Sequence, residues 1–338
     1  MKIIYKLLFL FLLTIGYSSC DFLDIVPDEI TTEADAFKDR NAAKNFVYSC
    51  YGYLPQSNVA SGSLDLLTGD EVITAFEHET FASFPKGNYT ASSPVISYWN
   101  TFFQGLRQCY IFLENVDKVP DLTESVKTDY IAQVKFLIAY YHYQLARCYG
   151  PIILIKELPD VNASQAEYLP RTSYDECVDW ICNLLDEAAS SLPAIRTNKE
   201  DYGLATSVGA KAVKAKMLLY AASPLFNGNS SFYSNFTDKS GSQLMPLTYD
   251  PNKWVKAKTA IKEAIDLAEQ NGHALYVKQD YKIGNEDANP YPAAGPVRCL
   301  RTSLVDWDSR NPEVLLAETR SEGSYGIQNK SLPFVTDG

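Results

Sequence analysis

The sequence predicts an all-α protein built from paired helices and long irregular connections, and three observations support this fold class. Apolar side chains recur at intervals of three and four residues in several separate segments. Prolines or glycines follow those segments where a helix should end. One segment is rich in alanine, whose small side chain lets a neighbouring helix approach closely. We therefore expect a stack of helix pairs.

The first two expected helices cover residues 32–54 and 99–116. Proline follows each of them closely, at Pro55 and at Pro120. The apolar positions of the first are Phe37, Ala43, Phe46, Val47, Cys50 and Leu54. Those of the second are Trp99, Phe103, Leu106, Tyr110, Leu113 and Val116. Both stripes have the helical period, so each helix should bury one face.

The next two expected helices carry apolar stripes over residues 130–148 and 174–192. The first carries a stripe of six apolar side chains and ends at Gly150-Pro151. The second begins after Ser173, which forms a capping-box pattern with Glu176, and ends before Pro193. The stripe of the first consists of Tyr130, Val134, Leu137, Tyr141, Leu145 and Cys148.

Two further helices complete the predicted stack. The alanine-rich segment 205–222 ends at Ser223-Pro224, and a last helix, 251–270, should be capped by Asp250 with Pro251 at its first position. Helix pairs at this loose spacing are similar to tetratricopeptide arrays. The long segments 56–95, 227–249 and 276–312 interrupt the helices and contain many aromatic residues. We expect a ligand site in these loops.

The N-terminus has the pattern of a secretory signal. Lys2 and Lys6 precede an apolar run of nine residues, and the small pair Ser18-Ser19 precedes Cys20. The run is shorter than the roughly 20 residues that a spanning helix needs. Residues 1–19 are thus predicted to be cleaved, with Cys20 acylated as in a bacterial lipoprotein. The alternative is ordinary cleavage that leaves Cys20 a plain thiol.

The remaining chain divides into three predicted regions. Residues 20–31 form a polar tether, residues 32–225 an N-terminal helical domain, and residues 226–338 a loop-rich continuation that includes helix 251–270. The 41 acidic residues exceed the 30 basic ones, for a net charge of −11. This balance disfavours nucleic acid and anionic lipid as ligands. Most cysteines occupy apolar helical positions, so we expect free buried thiols rather than disulfides.

Sequence signatures of enzymes and cofactor sites are missing. The chain has no GxGxxG, phosphate-loop, GxSxG or HExxH pattern, and we expect neither a metal nor a cofactor. His142 lies in an apolar helix, where a hydrogen-bonded core imidazole is the usual case. Asp306, Asp308 and Glu318 fit a calcium loop poorly, because Arg310 stands where an oxygen ligand is needed. Paired carboxylates such as Asp70-Glu71 leave a glycoside hydrolase open as an alternative.

Aromatic residues give the more informative signal. The chain has 23 Tyr, 16 Phe and 4 Trp, more than a core alone would suggest. Flat rings suit sugars, because a pyranose has an apolar face to stack on them while polar side chains bind its hydroxyl groups. Many of these rings, including Tyr110, Tyr130 and Tyr141, must simply pack between helices. The excess nevertheless favours a glycan as the ligand.

Several motifs together resemble the SusD/RagB family of nutrient-binding outer-membrane lipoproteins. The most typical is AQVKFLIAYYHYQLARCYGPIILI at residues 132–155, a long helix that ends in a YG turn. Other matching stretches are CDFLDIVP at the lipid site, PRTSYDECVDWICNLLDEAASSLP, ASPLFNG and NPEVLLAE. Family members usually exceed 338 residues, so the resemblance implies that the C-terminal region is truncated.

The resemblance also implies a function and a partner. Members of the family capture glycans outside the cell, without catalysis, and pass them to a SusC-like TonB-dependent transporter. The family's starch-binding member uses aromatic and amide groups near the start of the helix that matches Trp99. The resemblance therefore implies Tyr98, Trp99 and Asn100 as candidate ligand residues, and Asp70 and Glu71 in the preceding loop are candidate hydroxyl acceptors. Tyr281, Trp307 and Tyr325 are further candidates because they are aromatic residues within predicted loops. The alternatives are a lipid-anchored glycoside hydrolase and a transporter scaffold that binds no sugar.

Overall fold

The computed structural model describes residues 33–55, 80–160, 162–164, 169–277, 299, 303 and 311–319. Within these ranges the protein is all-α, as predicted, and the only extended pairing is an isolated bridge between Thr237 and Gln243. The helices are α1 (Glu33–Ala36), α2 (Arg40–Tyr51), α3 (Trp99–Asn115), α4 (Glu124–Tyr149), α5 (Tyr174–Ser191), α6 (Ser207–Ala222), α7 (Ser230–Tyr233) and α8 (Asn252–Gln270).

The longer helices pack as neighbours along the chain. Helix α2 lies against α3 and α4, and α3 lies against α4; the contacts then continue from α4 to α5, from α5 to α6 and from α6 to α8. None of the helices in the described part of the chain is both long enough and apolar enough to cross a bilayer. The stack of paired helices expected from the sequence is therefore present.

Helix α4 forms the centre of the stack. Its 26 residues include a nearly continuous buried run from Ala132 to Ala146. A helix that is buried on several faces needs apolar residues around most of its circumference, which its sequence supplies. The largest fully buried side chains of the core are Tyr141, Tyr174, Phe102, Phe112, Phe136, Leu106 and Leu137.

The segment predicted as one helix over residues 32–54 is instead divided in two. Helix α1 ends at Ala36, and α2 begins at Arg40 with Asp39 as its N-cap. The Asp39 carboxylate accepts a hydrogen bond of 2.8 Å from the amide of Ala42, which satisfies a donor that the first turn would otherwise leave unpaired. Phe37 lies in the break, where it remains buried. The apolar spacing alone did not indicate this cap.

Two other predicted caps also differ in detail. The Ser173 hydroxyl donates to the Glu176 carboxylate over 2.6 Å, and Ser173 makes no side-chain bond to the backbone of α5. The capping box therefore exists only as a contact between its two side chains. Helix α8 begins at Asn252, one residue later than predicted, and the Asp250 carboxylate accepts from the Asn252 amide over 2.9 Å.

Four of the predicted helical cysteines are free thiols that belong to the core. Cys50, Cys109, Cys177 and Cys182 are buried, and Cys148 is half-buried. Burial raises the pKa of the Cys177 thiol to about 11 and that of the Cys182 thiol to about 12, because a thiolate is poorly solvated there. These cysteines act as small apolar side chains.

Candidate functional site

Three of the predicted ligand residues lie at the first turn of α3. Tyr98 precedes the helix, and its amide donates a hydrogen bond of 2.9 Å to the hydroxyl of Tyr149, the last residue of α4. The Tyr98 side chain is only 9 % exposed, and its ring stacks on that of Phe102, with centroids 5.1 Å apart. Asn100 is exposed. The start of α3 is thus tied to the end of α4.

Trp99 is half-buried and lies between two other rings. Its centroid is 4.9 Å from that of Phe103 and 5.2 Å from that of Tyr149, which it meets edge to face. Contacts of this geometry are favourable for aromatic pairs and fix the orientation of the indole. Trp99 therefore anchors its helix while part of its surface remains accessible.

Arg171 lies over the indole from the segment that precedes α5. Its guanidinium carbon is 5.3 Å from the Trp99 ring, within the range of a cation–π contact. Its Nη1 donates to the carbonyl oxygens of Pro151, over 2.8 Å, and of Tyr149, over 3.3 Å. The contact with the indole and the bonds to the two carbonyl groups together fix the arginine side chain. We refer to Trp99, Tyr149 and Arg171, together with the exposed Asn100 that follows Trp99 in the helix, as the Trp99 cluster.

The exit from α4 positions this cluster. Gly150 ends the helix with a φ of +71°, a conformation that glycine adopts without strain. Three hydrogen bonds fix the segment that follows. The Ile152 carbonyl accepts from the Thr172 amide over 2.7 Å, and the Ile155 carbonyl accepts from the Tyr110 hydroxyl over 2.6 Å. The Ile155 amide donates to Nε2 of His142 over 3.1 Å. Because these bonds immobilise the segment, the carbonyls that hold Arg171 are also fixed.

His142 is a buried structural residue, as its position in the sequence indicated. Its Nδ1 donates to the Ile138 carbonyl over 2.8 Å, since its Nε2 must accept from the Ile155 amide. Burial lowers the pKa of His142 to about 4. The imidazole is therefore neutral, and its hydrogen bonds support the turn after α4.

The loop 227–249 is described and presents two strongly exposed rings. Phe232 is 75 % exposed and Tyr249 is 57 % exposed. The loop is closed at its base by Asn227, whose side-chain amide donates to the Asp250 carbonyl and accepts from the Asp250 amide, each over 2.9 Å. The sequence predicted that this loop would present aromatic groups but identified no ligand residue within it.

The other predicted residues lie outside the described parts of the chain. They are Cys20, Asp70, Glu71, Tyr281, Trp307 and Tyr325. Sequence reasoning also missed two members of the Trp99 cluster. Tyr149 belongs to the YG turn and Arg171 to the PRTS run, both quoted for the family resemblance, but their contact with Trp99 joins residues far apart in sequence.

The described residues contain no group of three or more His, Cys, Asp or Glu side chains arranged to hold a metal ion. The Trp99 cluster instead offers an indole surface, a side-chain amide, a phenol and a guanidinium group. Such groups can stack on an apolar ligand face and exchange hydrogen bonds with hydroxyl groups. The arrangement suits binding of a polyhydroxylated ligand.

Comparison with known proteins identifies the family. Residues 21–219 match the SusD-like family model described as starch-binding and associating with the outer membrane. A curated relative, SusD-like protein P25 of Formosa agariphila, is 23 % identical over 230 residues, which cover 64 % of this chain and 43 % of the relative.

Solved structures share the fold. The structure of BT4246 is 36 % identical, with a TM-score of 0.66 over 72 % of this chain and 42 % of that one. A SusD-like protein from Bacteroides fragilis NCTC 9343 is 22 % identical, with a TM-score of 0.55 over 75 % of this chain and 42 % of that one. The chain thus spans less than half the length of these relatives. Because the family model matches more than half of it, this chain belongs to the SusD-like family.

Proposed function

We propose that this protein binds glycans at the cell surface through the Trp99 cluster and delivers them to a SusC-like TonB-dependent transporter. The observation that carries the proposal is the half-buried Trp99 with the fixed guanidinium group of Arg171 over its ring, followed in the helix by the exposed Asn100, in a chain whose family model is described as starch-binding. No catalytic step is part of the proposal.

The cluster has the groups that sugar binding requires. Arg171 lies over part of the indole, so a pyranose would use the remaining accessible surface of Trp99. The Asn100 amide can donate to one hydroxyl group and accept from another, and the guanidinium group donates only. Since the rings and Arg171 are already fixed, binding should require little ordering of side chains. The site is open, so affinity for a single sugar segment should be modest.

Location is part of the same proposal. Acylation of Cys20 would attach the protein to the outer membrane, because acyl chains contribute about 0.8 kcal/mol for each buried CH₂ group. The polar tether 20–31 would then separate the helical domain from the lipid surface. A glycan held on that domain would lie near a transporter in the same membrane.

Affinity electrophoresis tests the proposal directly. The mature protein is run through native gels that contain starch, laminarin, xylan, mannan or pectin, with bovine serum albumin as the reference. Retardation by at least one polysaccharide is expected. Migration that no gel changes would contradict glycan binding and favour a scaffold role. Release of reducing sugar from the same polysaccharides would instead favour the glycoside hydrolase.

A further inference from the structure

A second groove lies on the helical scaffold, and it is formed by residues of α2, α4 and the connection between α5 and α6. Its volume is about 770 Å³, within the range of roughly 300–1,000 Å³ that is typical of ligand sites. The polar and aromatic residues considered below are Lys44, Tyr48, Asp129, Tyr130, Arg196 and Asp201. We call it the Tyr48 groove.

Two tyrosine rings line this groove. Tyr48 is 37 % exposed although it belongs to a helix of the core stack. Tyr130 is half-buried, and its ring meets Phe112 edge to face with centroids 6.5 Å apart, which fixes its orientation. Lys44, one turn before Tyr48, places its ammonium nitrogen 5.4 Å from the centre of the Tyr48 ring. Rings held in this way offer an apolar surface beside a hydrogen-bond donor.

The charges of the groove are arranged in pairs. Arg196 binds Asp129 through two hydrogen bonds of 2.9 and 2.7 Å, and it also donates to the Ala205 carbonyl. Its charge is therefore compensated within the protein. Lys44 is the other cation among the groove residues, and its pKa is raised, first by a hydrogen bond to Tyr48 and in smaller part by the charge of Asp201. Glu124, which also lines the groove, is paired with Lys127 over 2.8 Å. Because each cation of the lining has a carboxylate near it, an anionic ligand would meet no uncompensated positive charge there, and the groove is poorly suited to phosphate, sulfate or uronate groups.

A neutral polyhydroxylated ligand fits these groups better. A sugar hydroxyl can accept from an ammonium group and donate to a carboxylate at the same time, which satisfies Lys44 and Asp201 together. The tyrosine rings can contact the apolar face of the same sugar. We propose that the Tyr48 groove is a second binding site for a neutral oligosaccharide segment, separate from the Trp99 cluster. This inference rests on the proposed function, since it assumes that the chain binds glycans.

Calorimetric titration with defined hexasaccharides tests the second site. The probes are maltohexaose, laminarihexaose, xylohexaose and mannohexaose, with hexagalacturonate as the anionic counterpart. For at least one neutral probe the wild type should bind two molecules, and hexagalacturonate should not bind in the groove. Tyr48→Ala should remove one of the two, whereas Tyr48→Phe, which keeps the ring, should retain both. Trp254→Ala removes an aromatic ring of α8 that is 41 % exposed and lies outside the groove, and it serves as the matched control.

The outcomes separate the two sites. Loss of one bound sugar in Tyr48→Ala, with the other lost in Trp99→Ala, supports both sites. If Tyr48→Ala loses one bound sugar and Trp99→Ala loses none, the result supports the groove and contradicts the Trp99 cluster. Unchanged stoichiometry and affinity in Tyr48→Ala overturn the groove and leave the proposed function intact. Failure of the wild type to bind any neutral probe overturns the groove, and failure to bind hexagalacturonate as well contradicts the proposed function too. Melting temperatures within about 2 °C of wild type show that each variant is folded.

Discussion

The amide of Ile155 donates a hydrogen bond of 3.1 Å to Nε2 of His142, so a buried histidine holds the segment that leaves α4. Nδ1 of the same ring donates to the Ile138 carbonyl over 2.8 Å. Both bonds require the neutral imidazole, because a protonated Nε2 could not accept from the amide. The charge state of His142 therefore affects the turn that positions Arg171.

The pH dependence of stability should reveal this requirement. The pKa of His142 is lowered from 6.5 to about 4 by burial, so below pH 6.5 the unfolded chain binds a proton that the folded protein does not. The free energy of unfolding should fall as the pH falls from 6.5 to 4, by up to about 3 kcal/mol, and this contribution should level off below pH 4. Urea unfolding across that range measures the loss. If His142→Gln showed the same slope as wild type, the assignment to His142 would be wrong.

Gly228 should not tolerate a side chain. Its φ is +79°, and a Cβ atom would lie 2.3 Å from the Tyr249 amide nitrogen, which is backbone and cannot move aside. Gly228→Ala should therefore destabilise the protein by more than the roughly 1–3 kcal/mol that a left-handed alanine costs by itself.

Gly241→Ala is the matched control for that substitution. Gly241 has a similar φ of +87°, but a Cβ atom there would have no neighbour within 4 Å. Only the conformational cost should appear in its free energy of unfolding. Equal destabilisation by the two substitutions in chemical denaturation would show that the close approach to Tyr249 has no energetic consequence.

The Tyr51 hydroxyl closes a ring of hydrogen bonds beneath the Tyr48 groove. It donates to Gln133 over 3.0 Å and accepts from the Ala205 amide over 2.9 Å, and Gln133 donates to Asp129, the partner of Arg196. Tyr51→Phe removes the hydroxyl partner of the Gln133 side-chain oxygen and of the Ala205 amide. It should lower the free energy of unfolding by about 1–3 kcal/mol. Thermal unfolding of the purified variants measures this loss. Tyr89→Phe, at a tyrosine that is 52 % exposed, is the control and should change the stability very little. Similar costs for both would contradict the network.

Acylation of Cys20 is predicted from the sequence and can be measured in cells. Metabolic labelling with an alkyne analogue of palmitate should label the wild type, and the label should disappear in Cys20→Ala. Cys148→Ala should keep the label, because Cys148 is a half-buried thiol of α4. Labelling that persists in Cys20→Ala, or a wild type found unlabelled in the soluble fraction, would refute the lipid anchor.

The sequence predicted the helices well because their stripes and stops are local. The spacing of Phe103, Leu106 and Tyr110 identifies α3, and Pro120 lies just after it. The break between α1 and α2 was not predicted, because the apolar pattern continues with helical spacing on both sides of the cap at Asp39. The start of α4 at Glu124 was also missed, because the first turn of this helix is polar and has no apolar stripe to mark it.

The candidate site was predicted less completely. The resemblance led to Trp99 and Asn100 through their position at the start of α3, but burial excludes most of the Tyr98 ring from contact with a ligand. Tyr149 and Arg171 reach Trp99 only because α4 returns to the start of α3, and no pattern of neighbouring residues encodes that contact. The Tyr48 groove likewise joins two helices and a connection that are far apart in sequence.

Titration of the Trp99 cluster variants tests the central claim most directly. The dissociation constant for the polysaccharide that retards the wild type is measured for Trp99→Ala, Asn100→Ala and the control Asn252→Ala, which also removes an exposed amide from the first turn of a helix. We expect Trp99→Ala to weaken binding at this site at least about tenfold and Asn100→Ala about fivefold, which correspond to about 1.4 and 1 kcal/mol, while Asn252→Ala binds like the wild type. Wild-type affinity in folded Trp99→Ala and Asn100→Ala proteins would contradict glycan binding at the Trp99 cluster.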